Sequence, residues 1–282
     1  MMRKRAIVLL LGILIVSGVF ASSSRFIPFV ETEQGLISVL SHTYQNGTSE
    51  ISAGTDFDFR NNGGQEIAFP FSRYVVGATI ANTHRAWLTY QPLRLETNVT
   101  FRDAVTIGNV LFAAGSQMDL LYSFPFYRFS YTYDVLSKHA EADVGIGLAL
   151  QIRNASIVFE KVDGTAQYVS QNLGFVPALV LYSRYEFPFG LVLSAEITGI
   201  YTYLKGLNGA NFTFEGSILD ASLRMGYLVG DDVQLFGNLR FFGGTANGTS
   251  GYEVDAWTEP TTRYTKNNIA AITVSVGVNK SW

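Results

Sequence analysis

The chain has no cysteine among its 282 residues, so no disulfide framework can hold it together. Charge is scarce at 15% of residues, and no cluster of basic residues occurs outside the first five positions, which argues against a nucleic-acid partner. Histidine occurs only at His42, His84 and His139. After residue 21 no apolar run reaches the ~20 residues that a membrane helix needs. No GxGxxG, P-loop, HExxH or EF-hand pattern is present, and neither a cofactor nor a metal is indicated. What the chain does have is apolar and aromatic surface: 48% hydrophobic residues, with 21 Phe and 15 Tyr, too much for a disordered polymer.

The first 21 residues read as an export signal. Met1-Met2-Arg3-Lys4-Arg5 is a basic start, Ala6 to Phe20 an apolar core, and Val19-Phe20-Ala21 a peptidase site. Fifteen apolar residues fall short of a bilayer crossing, and no Cys follows them to carry a lipid anchor. The expected organisation is therefore a signal peptide over 1–21 and one domain over 22–282. Without Arg3, Lys4 and Arg5, 17 basic residues face 23 acidic ones, a net charge of −6.

The apolar residues recur at every second position, the period of a strand with two unlike faces. Ala142, Val144, Ile146, Leu148, Leu150 and Ile152 alternate with Glu141, Asp143, Gly145, Gly147, Ala149, Gln151 and Arg153. Leu219 to Val229 repeats the pattern, as do Tyr127 to Val135 and Ile272 to Val278. Short turns near Asn82, Ser137, Pro188 and Gly230 alternate with connections at 46–65, Gly108, Asp163, 206–211 and 246–267. With a first strand around Leu36 to Tyr44, these turns delimit ten strands.

An even strand count, with short turns at one end and some long loops at the other, predicts a transmembrane antiparallel up-and-down β-barrel of about ten strands (eight to twelve). A soluble barrel or sandwich alternates too, but turns its apolar face inward. Here the polar faces are rich in glycine and charge, which suits a narrow lumen, and the other faces carry Tyr, Phe and Leu that would aggregate in water.

Pro70, Pro92, Pro125 and Pro177 each lie nine to twelve residues from a short turn, about one membrane crossing. They are expected at one rim, with strands continuing beyond it as an extracellular extension. The alternation slips at Pro92 and Pro125, which predicts a bulge at each. The bulky neighbours are the expected aromatic girdle: Phe69, Phe71, Tyr90, Phe124, Phe126 and Phe175, with Phe187 and Phe189 at the short-turn end.

The leader, the alternating strands, the segment Tyr127-Arg128-Phe129-Ser130-Tyr131-Thr132-Tyr133 and the terminal aromatic together resemble the small outer-membrane β-barrel proteins of Gram-negative bacteria. That class contains the outer-membrane protein W and outer-membrane protein A barrels, and the resemblance covers essentially the whole mature chain. It implies a monomer in the bacterial outer membrane, in contact with lipid and lipopolysaccharide and placed there by the barrel-assembly machinery. In that class a C-terminal Phe or Trp after alternating apolar residues is the assembly signal. Val276, Val278 and Trp282 match it, whereas Lys280 departs from it.

The resulting lumen would hold Asp134, Glu141, Asp143, Glu186, Glu196 and Asp220 against Arg73, Arg128, Arg153, Arg184, Arg224 and Arg240. Six carboxylates and six guanidiniums in so narrow a barrel should pair and close it. The reading is a structural protein or a narrow passive channel. Two other classes compete, an outer-membrane enzyme and a surface adhesin working through its loops. A lipid A-modifying enzyme would need its histidine at the outer leaflet, whereas His84 and His139 fall beside the short turns. Omptin proteases have ten strands and combine an acidic pair with a His-Asp pair; Asp56-Phe57-Asp58 resembles the first half, but no Asp-x-His follows. No nucleophile, base and orienting group can be assembled. Tyr252, Trp257 and Tyr264 in the 246–267 connection are candidates for a recognition surface.

Overall fold

The computed structural model describes residues 26–48, 52–139, 141–205, 211–230, 232–251 and 262–282. The expected leader and the aromatics Tyr252 and Trp257 lie outside the described residues. Fifteen strands occur among the described residues: β1 (Phe26–Gly47), β2 (Phe57–Asp58), β3 (Ala68–Ile80), β4 (His84–Gln91), β5 (Arg94–Thr100), β6 (Val105–Ile107), β7 (Val110–Phe112), β8 (Gln117–Ser123), β9 (Phe126–Asp134), β10 (Ala142–Lys161), β11 (Gln167–Glu186), β12 (Leu191–Lys205), β13 (Asn211–Val229), β14 (Val233–Gly251) and β15 (Thr262–Ser281).

Ten of them close a ring in the order β1-β3-β4-β9-β10-β11-β12-β13-β14-β15, and β15 pairs back onto β1. Every neighbour is antiparallel, and both described chain ends meet at one end of the ring, where the Trp282 amide donates to the Pro28 carbonyl at 3.1 Å. The same end carries the four short turns. In the tightest, Ala81 and Asn82 both hold positive φ, the type I′ geometry that matches the twist of a hairpin.

Each ring strand presents apolar side chains outward: Leu36, Val76, Leu88, Phe129, Leu148, Leu181, Ile197, Leu223, Leu239 and Val276 are all exposed. A continuous apolar belt around a closed sheet is stable only against lipid, and a closed sheet leaves no strand edge for the bilayer to solvate. The chain is an antiparallel membrane-spanning barrel, as the alternation predicts.

β1 is longer than the expected strand at Leu36 to Tyr44. Its first half carries polar residues on both faces, Glu31 and Glu33 inward and Thr32 and Gln34 outward, so no hydrophobic alternation marks it. The described residues of the 246–267 connection are likewise strand, since β14 and β15 pair as far as Gly251↔Thr262 and include Tyr264.

Pro70 and Pro177 lie inside β3 and β11, whereas Pro92 and Pro125 break strands without adding residues. β4 stops at Gln91 and β5 resumes at Arg94, while β8 stops at Ser123 and β9 resumes at Phe126. The register is the same on both sides, Gln91↔Phe126 below and Arg94↔Ser123 above, so the bulges expected at Pro92 and Pro125 are absent. The ring's register shift falls instead between Val39 and Ser41.

What changes at Pro92 and Pro125 is which face is apolar. Below them Thr89, Gln91, Arg128 and Ser130 point inward and Leu88 and Phe129 outward; above them Leu93, Leu95, Leu120 and Tyr122 point inward and Arg94, Glu96 and Asp119 outward. β10 inverts likewise, from inward Gln151 to inward Ala155, Ile157 and Phe159. The cause is the solvent. A strand that leaves lipid for water must hide its apolar residues inside the ring.

The upper ring, β5, β8 and the β6–β7 hairpin thus enclose a lobe with its own core. Phe57 and Phe59 fold in from the segment after β1 and pack on Phe159 with ring centroids at 5.2 and 5.5 Å. Backbone bonds from Thr55 to Thr106 (2.7 Å) and from Gly108 to Asn46 (2.8 Å) tie the hairpin down. Each fully buried Phe adds about 1.5–3 kcal/mol of burial.

A candidate functional site in the lumen

From the turn end, a vestibule of about 610 Å³ opens among the turn-side residues of the ring strands, lined by His84, Arg85, Asp143, Tyr182, Arg184 and Arg224 among others. Arg85 has no ion pair among the described residues; its guanidinium sits 4.2 Å from the Phe29 ring centroid and 4.7 Å from that of Tyr182. Arg184 pairs with Glu186 and lies 3.7 Å from Asp143.

The vestibule ends at a first ionic layer. Glu31 accepts from Arg73 at 2.7 Å, from both Arg224 nitrogens at 2.7 and 2.8 Å, and from Asn279 at 3.2 Å. Glu33 accepts from Asn238 at 2.8 Å and from the Ser275 hydroxyl, with Arg73 3.6 Å away. Arg73 also lies 3.6 Å from Glu196, and Arg224 stacks 3.8 Å over Phe236.

A second layer follows toward the lobe. Asp220 pairs with Arg128 at 2.7 Å and with Arg240, and Arg128 donates twice to Gln151 Oε1, at 2.9 and 2.7 Å. All three charged groups are at most 3% exposed. Phe126 and Phe242 stack at 5.9 Å above this layer and begin the lobe core. Four carboxylates and four guanidiniums therefore balance across the bore, and toward the lobe the ionic layers give way to hydrocarbon.

The structure sorts the expected lumen residues. It brings together Arg73, Arg128, Arg224, Arg240, Glu196 and Asp220. Arg184, Asp143 and Glu186 form a separate cluster at the vestibule. Asp134 instead caps the β9–β10 turn, accepting the Leu136 and Val144 amides at 2.9 Å each. Glu141 sits in that turn, exposed, 3.7 Å from His139. Arg153 points inward but meets no carboxylate among the described residues; it lies over the Phe124 ring at 5.2 Å. Glu31 and Glu33, the centre of the first layer, were not expected. Their signal was the spacing Phe29, Glu31, Glu33 on one face of a strand whose other face is also polar.

The girdle needs correction. Phe69, Phe71, Phe124 and Phe126 are buried and face inward, because they stand where the strands enter the lobe and the apolar face has turned inside. Phe175 and Phe189 are exposed, Phe187 is half-buried against Tyr185 and Phe189, and Tyr90 stacks between Tyr74 and Tyr127 on the outer face. Val276, Val278 and Trp282 point outward, and Lys280 pairs with Asp232 beside the Trp282 ring.

Asp56 and Asp58 are committed elsewhere than to an acidic pair. Asp56 lies 3.1 Å from Lys266, and Asp58 Oδ1 caps the following turn by accepting the Arg60 and Asn61 amides. His42, above the belt, is sealed in the lobe between Phe59, stacked at 4.1 Å, and Tyr122, edge-on at 4.3 Å. Burial pushes its pKa down to about 4 against the upward pull of Gln65 and Asp58.

No protein family's profile matches this chain, and no curated protein matches it. Among solved structures it is similar to the outer membrane protease OmpT from Escherichia coli, with 8% identity, a TM-score of 0.46, and 90% of this chain and 97% of that chain covered. It is also similar to the outer membrane protein OprG from Pseudomonas aeruginosa (7% identity, TM-score 0.37, 90% and 95% covered) and to Ail, the attachment invasion locus protein of Yersinia pestis (6%, 0.34, 90% and 99%).

Proposed function

We propose that this protein is a closed structural barrel of the bacterial outer membrane that holds a folded lobe above the membrane and passes no solute. The observation that carries this is the bore itself: two ionic layers, which together set four carboxylates against four guanidiniums, are topped by an apolar core. A narrow passive channel would need a polar path along its length, and here the charged groups of the plug pair with one another beneath an apolar core. In the proposed orientation the turns and vestibule face the periplasm and the lobe faces outward. Lipid and lipopolysaccharide contact the belt, residues 1–21 serve as the export leader, Val276, Val278 and Trp282 address the assembly machinery, and the barrel is a monomer.

No reading as an enzyme is supported by the site, since Asp56 and Asp58 serve a surface ion pair and a turn and His42 is sealed from solvent. Planar-bilayer recording tests the proposal. The refolded mature chain, verified by its shifted gel mobility before boiling, should give no unitary steps; steady, ion-selective steps from the folded protein would overturn it.

A further inference from the structure

The ring is not zipped along its whole height. β11 and β12 pair from Glu186↔Val192 only to Leu179↔Gly199, although β11 extends back to Gln167 and β12 on to Lys205. β11 keeps its full partnership with β10, and β12 keeps its own with β13. A seam therefore opens between the two strands above Pro177 and Gly199. Pro177 suits that place, because it has no N–H to offer a partner.

Three observations say what the seam holds. Its lips are apolar on the outside: Leu173 and Phe175 on β11 and Tyr201 and Tyr203 on β12 are exposed and stand next above Leu179 and Ile197 of the lipid belt. Behind the β11 lip the chain leaves room, for a Cβ added to Gly174 would meet nothing within 4 Å. Gly174 pairs in register with Arg153, whose side chain lies on the same inner face. Arg153 Nε and Nη2 are buried without a hydrogen-bond partner among the described residues, and Nη2 reaches to within 4.0 Å of the Cβ position of Gly244 on β14. A buried cation left unpaired is costly, and the ionic plug is balanced without it.

We infer that the β11–β12 seam binds an anionic amphiphile from the outer leaflet, with its hydrocarbon chain between the lips and its carboxylate or phosphate on Arg153. Val176, Ala178, Ile200 and Ile218 supply an apolar inner wall beside the seam. The Asp220 layer closes the bore alongside, so the slot is blind: it binds without transporting, and the closed-lumen reading does not depend on it. The lips favour an amphiphile over a free anion because they are joined to the lipid belt.

The test uses the full mature chain in phosphatidylcholine nanodiscs, with carboxyl-labelled palmitate followed by NMR and hexadecanol and inorganic phosphate as comparison ligands. Wild type should bind palmitate saturably. Arg153→Gln should weaken palmitate at least tenfold and leave hexadecanol within twofold, whereas Gly174→Leu should weaken both. Heat-shifted gel mobility confirms that each variant is folded. Absence of saturable palmitate binding to the wild type, or palmitate affinity unchanged in both folded variants, would overturn the site. Competition by phosphate as effective as by palmitate would place the anion's source in water and overturn the lateral route.

Discussion

Replacing Asp220 by Ala removes the one carboxylate that faces both Arg128 and Arg240 in the second layer, at positions all but closed to water. Arg128 keeps its two bonds to Gln151, but these neutralise no charge. Breaking a buried pair by deleting one partner costs about 3–5 kcal/mol, because the other charge stays buried, and here two charges are left. The loss should therefore reach at least the upper end of that range. Replacing the whole triad by apolar residues of similar size, Asp220→Leu with Arg128→Met and Arg240→Met, removes the desolvation cost with the attraction and should change stability by about 1 kcal/mol or less. Urea unfolding in lipid vesicles, with gel mobility as the readout of the folded barrel, measures both variants. A triple variant as unstable as Asp220→Ala, or a single variant within about 1 kcal/mol of wild type, would refute the reasoning.

Three other outcomes are expected. Arg224→Ala, which strips Glu31 of two bonds, should destabilise by several times more than Lys266→Ala, whose pair with Asp56 is surface-exposed and contributes about 0–1 kcal/mol; equal urea midpoints would contradict the plug. His42 folds neutral, so the lobe keeps its full stability above the unfolded-state pKa of 6.5 and loses up to about 3 kcal/mol as the pH falls from 6.5 toward 4. Protease cleavage within the lobe should accelerate over that window in wild type and not in His42→Leu, and a flat profile in wild type would dismiss the assignment. Ala81→Gly relieves a positive φ in the β3–β4 turn and should raise stability by roughly 1 kcal/mol; a decrease would show that Ala81 is unstrained there.

The sequence revealed the barrel because lipid and lumen impose opposite demands on successive residues, so Ile146, Leu148 and Leu150 stand apart from Gly145, Gly147 and Gln151 at a glance. It concealed β1 before Leu36, because polar residues fall on both faces between Glu31 and Gln34: Glu31 and Glu33 serve the plug, and Gln34 bonds outward to Ser72 and Tyr74. The proline slips were legible as a change, but not as the change that occurred. A hydrophobic pattern displaced by one residue reads equally as an inserted residue or as an inverted environment, and only the constant register of β4–β9 and β5–β8 separates the two. The same ambiguity placed Phe69, Phe71, Phe124 and Phe126 on the wrong side of the wall. Arg153 looked like its fellow arginines by alternation, and what sets it apart, the unzipped β11–β12 seam, is a property of pairing that no single strand encodes.

The central claim is that one set of strands is apolar outside within the membrane and apolar inside above it, with the lobe facing the exterior. A chain without cysteine allows this to be read residue by residue, using single-cysteine variants in intact cells and a membrane-impermeant maleimide. Cysteines at Asn98, Asp119 and Asn154, outward above the inversion, should label readily, while those at Leu88, Phe129 and Leu148 in the belt and at Leu95 and Leu120 in the lobe core should not. Labelling at Leu88, Phe129 and Leu148 with protection at Asn98, Asp119 and Asn154 would contradict the account.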